Sequence, residues 1–559
     1  MKIKEIIAEA IRKLGVEAEI LVERPSDESR GDFACNVALV EGRKTGKNPR
    51  ELAEEYVEKL KQDKKLELVV DKVEVAGPGF INFWIRDAYL SLAMNVVETA
   101  KDTLVTEMTG KKVLVEYSSP NIAKRFSVGH LRSTIIGQAI YNLYKACGAT
   151  VTNDNHLGDW GTQFGMIVAA VEEENLDISG MSIGELEELY VRFNKRIEDY
   201  PELKDKAREA FARLEAGDEN ARKIWQMSIA VSMKEFEEIY KKLGVIFENQ
   251  YGESFFEALM PEIIAQAKEK GVAVEGEKGA WIVKFEEDGK ELMPPAMLVK
   301  GDGSTTYFTR DLATIKQRIT DPKLISDLYV YEVGGEQRLH LRQVFAAAKK
   351  LWPKETDGVR FVHLAHGMLT LPEGKMSTRK GNTIKLEDLI NKAGDEAREY
   401  VKNEEVDVDR MAINAIKYNE LRRSPGMDYV FTWEEALSMT GNSAPYINYA
   451  YVRAKKIVGD RPTSHEASRG KFEGEEINLA RWLMRYLEGE IVEEAAKNFA
   501  PQLVCAYLFE TAKRFNAFYD SNPVLGDPRE KERLVLVKSV AEIIKSGMAL
   551  LGIQVVEKM

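Results

Sequence analysis

Residues 118–137 read SSPNIAKRFSVGHLRSTIIG, and the reading of this passage decides the fold around it. The preceding KKVLVEYSS (111–119) is a Val-rich apolar run of the length that fills a buried parallel strand. The residues that follow have the periodicity of a helix. Gly129 lets the backbone approach a ligand closely, and His130 with the first N–H groups of that helix stands where a polyphosphate can be held. Taken alone, the same residues also fit a buried, satisfied histidine at a helix start. Further along, the polar strand TVTND (150–154) follows the helix 131–147, the alternation of a doubly wound, Rossmann-like α/β sheet.

A second basic passage narrows the chemistry. GKMSTRKGN (374–382) follows the apolar stretch FVHLAHGMLTL (361–371) and sets Lys375, Arg379 and Lys380 among Ser377, Thr378 and glycines. A flexible basic loop after a strand is a phosphate clamp by composition, although alone it also reads as a solvated turn.

Together, PNIAK-x-F-x-x-GHLRST and KMSTRKGN resemble the two signatures of class I aminoacyl-tRNA synthetases, specifically the arginyl-tRNA synthetases. The resemblance covers essentially the whole chain. HLGDWGTQFG (156–165), YFTRDLA (307–313), GGEQRLHLRQVF (334–345) and PYINYAYVRAKKI (445–457) look like further blocks of that family, in its order. It implies an enzyme that activates arginine with ATP, Mg2+ arriving on the nucleotide, and passes it to the terminal adenosine of tRNA(Arg). The implied domains are an N-terminal α/β tRNA-contacting module (1–86), a catalytic domain with a helical insertion (88–425) and a helical anticodon-binding bundle (426–559).

Residue by residue, the resemblance assigns Ser127, Gly129, His130, Lys375, Met376 and Ser377 to ATP. Lys124, His130, Lys375, Arg379 and Lys380 supply charge to the transition state. Glu116, Asn121, Tyr307, Asp311 and Gln337 receive arginine, with Glu253 a weaker candidate; for Glu116, an ion pair that orients its neighbours is an equal alternative. Asp311 leads because a planar guanidinium is best satisfied by a carboxylate fork. Asn82, Tyr449 and Arg453 are assigned to tRNA, and no metal ligands are expected. Two departures stand out. Ser127 replaces the first signature histidine and Thr378 the second lysine of the general K-M-S-K loop, so Lys124 is expected to provide the missing charge. They also motivate the alternative of a catalytically silent, RNA-binding paralogue. An HxGH nucleotidylyltransferase would need neither the KMSTRKGN loop nor the helical C-terminus.

Composition agrees with this reading. The chain has 559 residues, 44% of them hydrophobic, enough for several cores. No apolar run reaches a membrane span, so a cytoplasmic enzyme with no membrane partner is expected; a monomer is expected too, although the sequence itself does not give the oligomeric state. Cys35, Cys147 and Cys505 are scattered, which supports neither disulfides nor a cysteine zinc site. The net charge of −12 opposes RNA binding only on average. Basic tracks at Lys124, Arg125 and Arg132, at Lys375, Arg379 and Lys380, and at Arg453, Lys455 and Lys456 are expected to face RNA, whereas the charged stretch 178–243 reads as a solvated surface insertion.

Overall fold

In the computed structural model, residues 2–95, 104, 106–370, 386–400, 405–461 and 471–559 are described. The chain forms two compact units, one of Met1–Asp102, Tyr446–Val492 and Tyr507–Gly547, the other of Thr103–Pro445, Glu493–Ala506 and Met548–Met559.

The second unit is built on a four-stranded sheet in the order Arg360–His366, Leu328–Gly334, Lys112–Glu116, Thr150–Asp154, with every neighbouring pair parallel. Val113, Leu114 and Val115 are at most 1% exposed, as a strand covered on both faces requires. From Lys112–Glu116 the chain passes through the Val128–Ala146 helix to Thr150–Asp154, then returns on the other side at Leu328–Gly334. Strand order reverses at that point. Ligands of such sheets bind outside the carboxyl ends at the reversal, where residues 117–127 lie. The doubly wound parallel sheet expected from the sequence is therefore present.

The charged stretch 178–243 is not simply a solvated surface, which corrects the sequence reading. It forms the helices Ile183–Asp199, Glu202–Ala216 and Glu219–Leu243. Ser228, Ser232, Phe236 and Tyr240 of the third are at most 4% exposed and make one face at four-residue spacing. Farther along, the antiparallel strands Trp281–Glu287 and Lys290–Val299 share a core with the helices Tyr307–Thr320 and Arg338–Leu351 through Leu298, Phe308, Leu312 and Val344.

In the first unit, the N-terminal module carries an antiparallel sheet in the order Val22–Glu23, Phe33–Cys35, Phe80–Ile85, Val70–Ala76. Gly77 and Gly79, both at positive φ, make the turn between the last two strands in sequence. Among the described residues after Val430 the chain is helix and connecting turn only, the helical C-terminus that was expected. All three cysteines are buried, and none forms a disulfide.

Candidate active site

The loop after Lys112–Glu116 is held in an unusual backbone conformation. Ser118, Ser119 and Ala123 have φ of 73°, 45° and 61°, left-handed values that cost a non-glycine residue about 1–3 kcal/mol each unless the surroundings impose them. Here they do. Ser118 N–H donates to Ser133 Oγ at 2.9 Å, and Ser118 Oγ lies 2.8 Å from both Tyr240 Oη and Thr134 Oγ1. Ser119 N–H donates to Asn155 Oδ1 at 3.1 Å and Ala123 N–H to Ser232 Oγ at 2.9 Å. The buried stripe of the Glu219–Leu243 helix thus clamps the loop from one side and the Val128–Ala146 helix from the other.

Ser127 caps the Val128–Ala146 helix. Its backbone N–H donates to His130 Nδ1 at 3.1 Å, and its Oγ lies 3.1 Å from the same nitrogen. Because Nδ1 accepts, the neutral ring carries its proton on Nε2. Burial, then the positive Lys124 and His366, lower the His130 pKa to about 4. The imidazole is therefore neutral at physiological pH, a fixed hydrogen-bond donor. The open space at Gly129 suits a ligand, since an added Cβ would meet only Ser127 Oγ at 3.5 Å; at Gly137, by contrast, an added Cβ would run into the Tyr117 ring. His366 stands behind the site with Nδ1 2.9 Å from the buried Glu332. Burial alone would lower its pKa, yet that carboxylate raises it.

The first turn of the Tyr307–Thr320 helix presents Tyr307, Arg310 and Asp311 at i, i+3 and i+4 spacing. Thr306 Oγ1 donates to Met297 O at 2.6 Å, and Thr309 Oγ1 donates to Leu298 O, tying that turn to the neighbouring strand. Tyr307 is 65% exposed, and the Arg310 guanidinium lies 5.0 Å from its ring. Arg310 also pairs with Glu253 at 3.4 Å. Burial pushes the Glu253 pKa up to about 7; His156 and Arg310 pull against it, and Asp311 and Asp159 add to it. Asp311 meets His340 Nε2. Asn121 rests on Gly158, bridged to it in parallel, and Gln337 is exposed as the residue before the Arg338–Leu351 helix.

Tyr190, which the sequence reading missed, joins the two groups. It lies on the insertion helix Ile183–Asp199, its ring 5.9 Å from Lys124 Nζ. Burial and then the nearby Tyr307 raise its pKa, so Tyr190 neighbours both Lys124 and Tyr307.

Glu116 is already paired, the role weighed against direct contact. Its carboxylate lies 2.5 Å from Arg318, whose guanidinium is also held by Asp154 at 2.6 Å, and all three are buried. The expectation that Arg132 faces RNA is overturned. It is 1% exposed, pairs with Glu420 at 2.7 Å and donates to the Met427 carbonyl at 2.8 Å, linking the start of the Val128–Ala146 helix to the turn near 425–427. Arg125 is likewise engaged, 3.3 Å from Glu188 and 3.9 Å from Glu187 on the insertion helix. Arg125→Ala is expected to cost about 1 kcal/mol or less, as a partly exposed ion pair does, measured by chemical denaturation. In the other unit, Asn82 sits in its sheet at 5% exposure opposite Ala34 and Glu74. Tyr449 is 45% exposed, and Arg453 pairs with Asp520 at 3.3 Å and lies 4.2 Å from the Tyr519 ring. Lys375, Met376, Ser377, Thr378, Arg379 and Lys380 lie outside the described residues.

A parallel sheet whose strained loop leads into a histidine-bearing helix places this unit among the class I aminoacyl-tRNA synthetase catalytic domains, and the family model for the class I (R) tRNA synthetase catalytic domain matches residues 94–433. The arginyl tRNA synthetase N terminal domain matches residues 1–85 and the DALR anticodon binding domain residues 447–559. An arginine–tRNA ligase of Fusobacterium nucleatum is 35% identical over 556 residues, covering 96% of this chain and 94% of its own. One from Halothermothrix orenii is 34% identical over 586 residues, covering 100% and 99%. The crystal structure of arginyl-tRNA synthetase from Plasmodium falciparum superposes with a TM-score of 0.79 at 25% identity, covering 100% of this chain and 98% of that one. The chain belongs to the arginyl-tRNA synthetase family.

Proposed function

We propose that the chain is an arginine–tRNA ligase. It condenses arginine with ATP to arginyl-adenylate and pyrophosphate, then moves arginine to the 3′-terminal adenosine of tRNA(Arg) and releases AMP. The reading is supported most by the match of the class I (R) tRNA synthetase catalytic domain over residues 94–433, together with a neutral His130 beside Lys124 in the loop–helix passage that follows the Lys112–Glu116 strand.

The chemistry assigns the roles. A carboxylate must approach an anionic α-phosphate, so the site has to supply donors and positive charge aimed at the transition-state oxygens; it needs no protein nucleophile. His130, neutral with its proton on Nε2, donates to a phosphate oxygen, while Lys124 contributes charge. Gly129 makes room for the nucleotide and Ser127 fixes the histidine. The 374–382 loop brings Lys375, Arg379 and Lys380 to pyrophosphate, with Met376 and Ser377 on the nucleotide. Asp311 takes the guanidinium, Tyr307 walls the pocket, and Asn121 and Gln337 hold the α-amino group. Asn82, Tyr449 and Arg453 are the tRNA-contacting candidates. Mg2+ is carried by ATP as part of that substrate. The same reading takes the enzyme as monomeric and cytoplasmic; no helix among the described residues is long and apolar enough to cross a membrane.

ATP–pyrophosphate exchange with each amino acid, with and without tRNA, tests the proposal. The expected result is exchange with arginine alone, dependent on tRNA, a trait of arginyl enzymes. Robust exchange with another amino acid and none with arginine would sink the reading.

A further inference from the structure

His340 lies in the first turn of the Arg338–Leu351 helix, where its Nε2 meets Asp311 Oδ2 on the Tyr307–Thr320 helix. The Phe308 ring lies edge-on to its imidazole, 6.4 Å between centroids. Both partners stay partly open, at 26% for the histidine and 31% for the aspartate. Asp311 Oδ1 accepts no hydrogen bond from a described residue. Other charged groups in this region are Glu253 and Arg310, paired with each other, and Asp159, held by Ser254. Near His340 on its own helix are Arg338 and Arg342, with Glu336 in the turn just before it.

A carboxylate that is to grip a guanidinium must be fixed in orientation and must keep its charge. A neutral imidazole meets both needs, because its single N–H occupies one of about four lone-pair sites on the carboxylate. An imidazolium still fixes the orientation, but it offsets the aspartate's charge and competes as a second, internal cation.

We propose that His340 is a positioning residue for arginine recognition: neutral, it holds Asp311 with one oxygen free for the guanidinium, and protonated, it takes the guanidinium's place as counter-ion. The inference rests on the assignment of Asp311 to arginine. Burial lowers the proton affinity of His340, but the hydrogen bond and charge of Asp311 outweigh it and raise the pKa. Arginine binding favours the neutral form. The arginine KM is therefore expected to rise as pH falls through the His340 pKa, with kcat at saturating arginine and the ATP KM changing much less. Glu253 titrates in the same range, since burial brings its pKa to about 7, and losing its charge at low pH would weaken arginine binding in the same direction.

The test measures the arginine KM of the full-length enzyme by tRNA-supported pyrophosphate exchange across about pH 5.5–8.5, the range a histidine spans. Wild type and Glu253→Gln should both show an acid limb approaching tenfold per pH unit. His340→Gln and His340→Asn retain an N–H donor but cannot titrate, so the limb should disappear in both. His340→Ala should be equally flat at a higher KM, partly rescued in the amide variants. Thermal melts identify any variant that fails to fold, and the remaining amide variant then carries the test. An acid limb that persists in a folded amide variant, or one that vanishes only in Glu253→Gln, would overturn the proposal. Asp311→Asn separates the layers. If it raises the arginine KM while the histidine variants keep the limb, only the role of His340 fails; if it leaves the KM unchanged, the arginine pocket itself has been misplaced.

Discussion

Asp311→Asn is expected to raise the arginine KM by roughly 30- to 800-fold, the equivalent of about 2–4 kcal/mol for leaving a guanidinium imperfectly paired in a partly desolvated site. The substitution keeps the shape of the side chain and removes its charge, so the loss should fall on arginine and not on the nucleotide. Arg310 is engaged by Tyr307 and Glu253, so the partner that the substitution disturbs is His340, whose pKa falls once the aspartate's charge is gone. Initial rates with arginine and ATP varied separately provide the check. Equal increases in both KM values would mean that Asp311 serves the fold instead.

Lys124→Ala is expected to slow adenylate formation by roughly 10²–10³-fold, the usual loss for one preorganised transition-state donor. The lysine is close enough to His130 to help depress its pKa, so the two act on one neighbourhood. Removing the lysine should also let the His130 pKa rise, although burial, the larger cause, will keep it below its ordinary value. If Lys124 replaces the charge that Thr378 lacks, Thr378→Lys should recover part of the loss in the double mutant, with both single mutants measured to isolate the coupling. Single-turnover rates provide the measurement. Activation at wild-type speed in Lys124→Ala would move the burden to Arg379 and Lys380.

The sheet and its functional edge were legible because their signals are local. A strand with the apolar centre Val113–Val115, a glycine at the approach and a helix whose third residue is histidine occupy one short stretch, and the reversal of strand order puts that stretch at the edge where such sheets bind ligands. The partners of these residues were not legible, because they come from far along the chain. Nothing near Arg132 announces Glu420, and nothing near Glu116 announces Arg318. Exposed-looking basic residues such as Arg132 and Arg125 were read as RNA-facing for the same reason. His340 sat inside a quoted block, yet only the packing of two helices reveals its bond to Asp311. The insertion is a different case. Its charges hid a periodic signal, Ser228, Ser232, Phe236 and Tyr240, that a search at four-residue spacing would have found.

The clamp on residues 118–123 has a consequence for how the enzyme comes into being. Two of the groups that hold the loop in its left-handed turns, Ser232 and Tyr240, are synthesised more than a hundred residues after the loop itself. A growing chain that has emerged only as far as the Thr150–Asp154 strand has its signature histidine but lacks half of what makes that backbone affordable. The loop should relax toward ordinary dihedrals until the third insertion helix docks. The insertion is thus a late-arriving keystone: the loop gains its left-handed geometry when that helix docks, not when the motif itself is made.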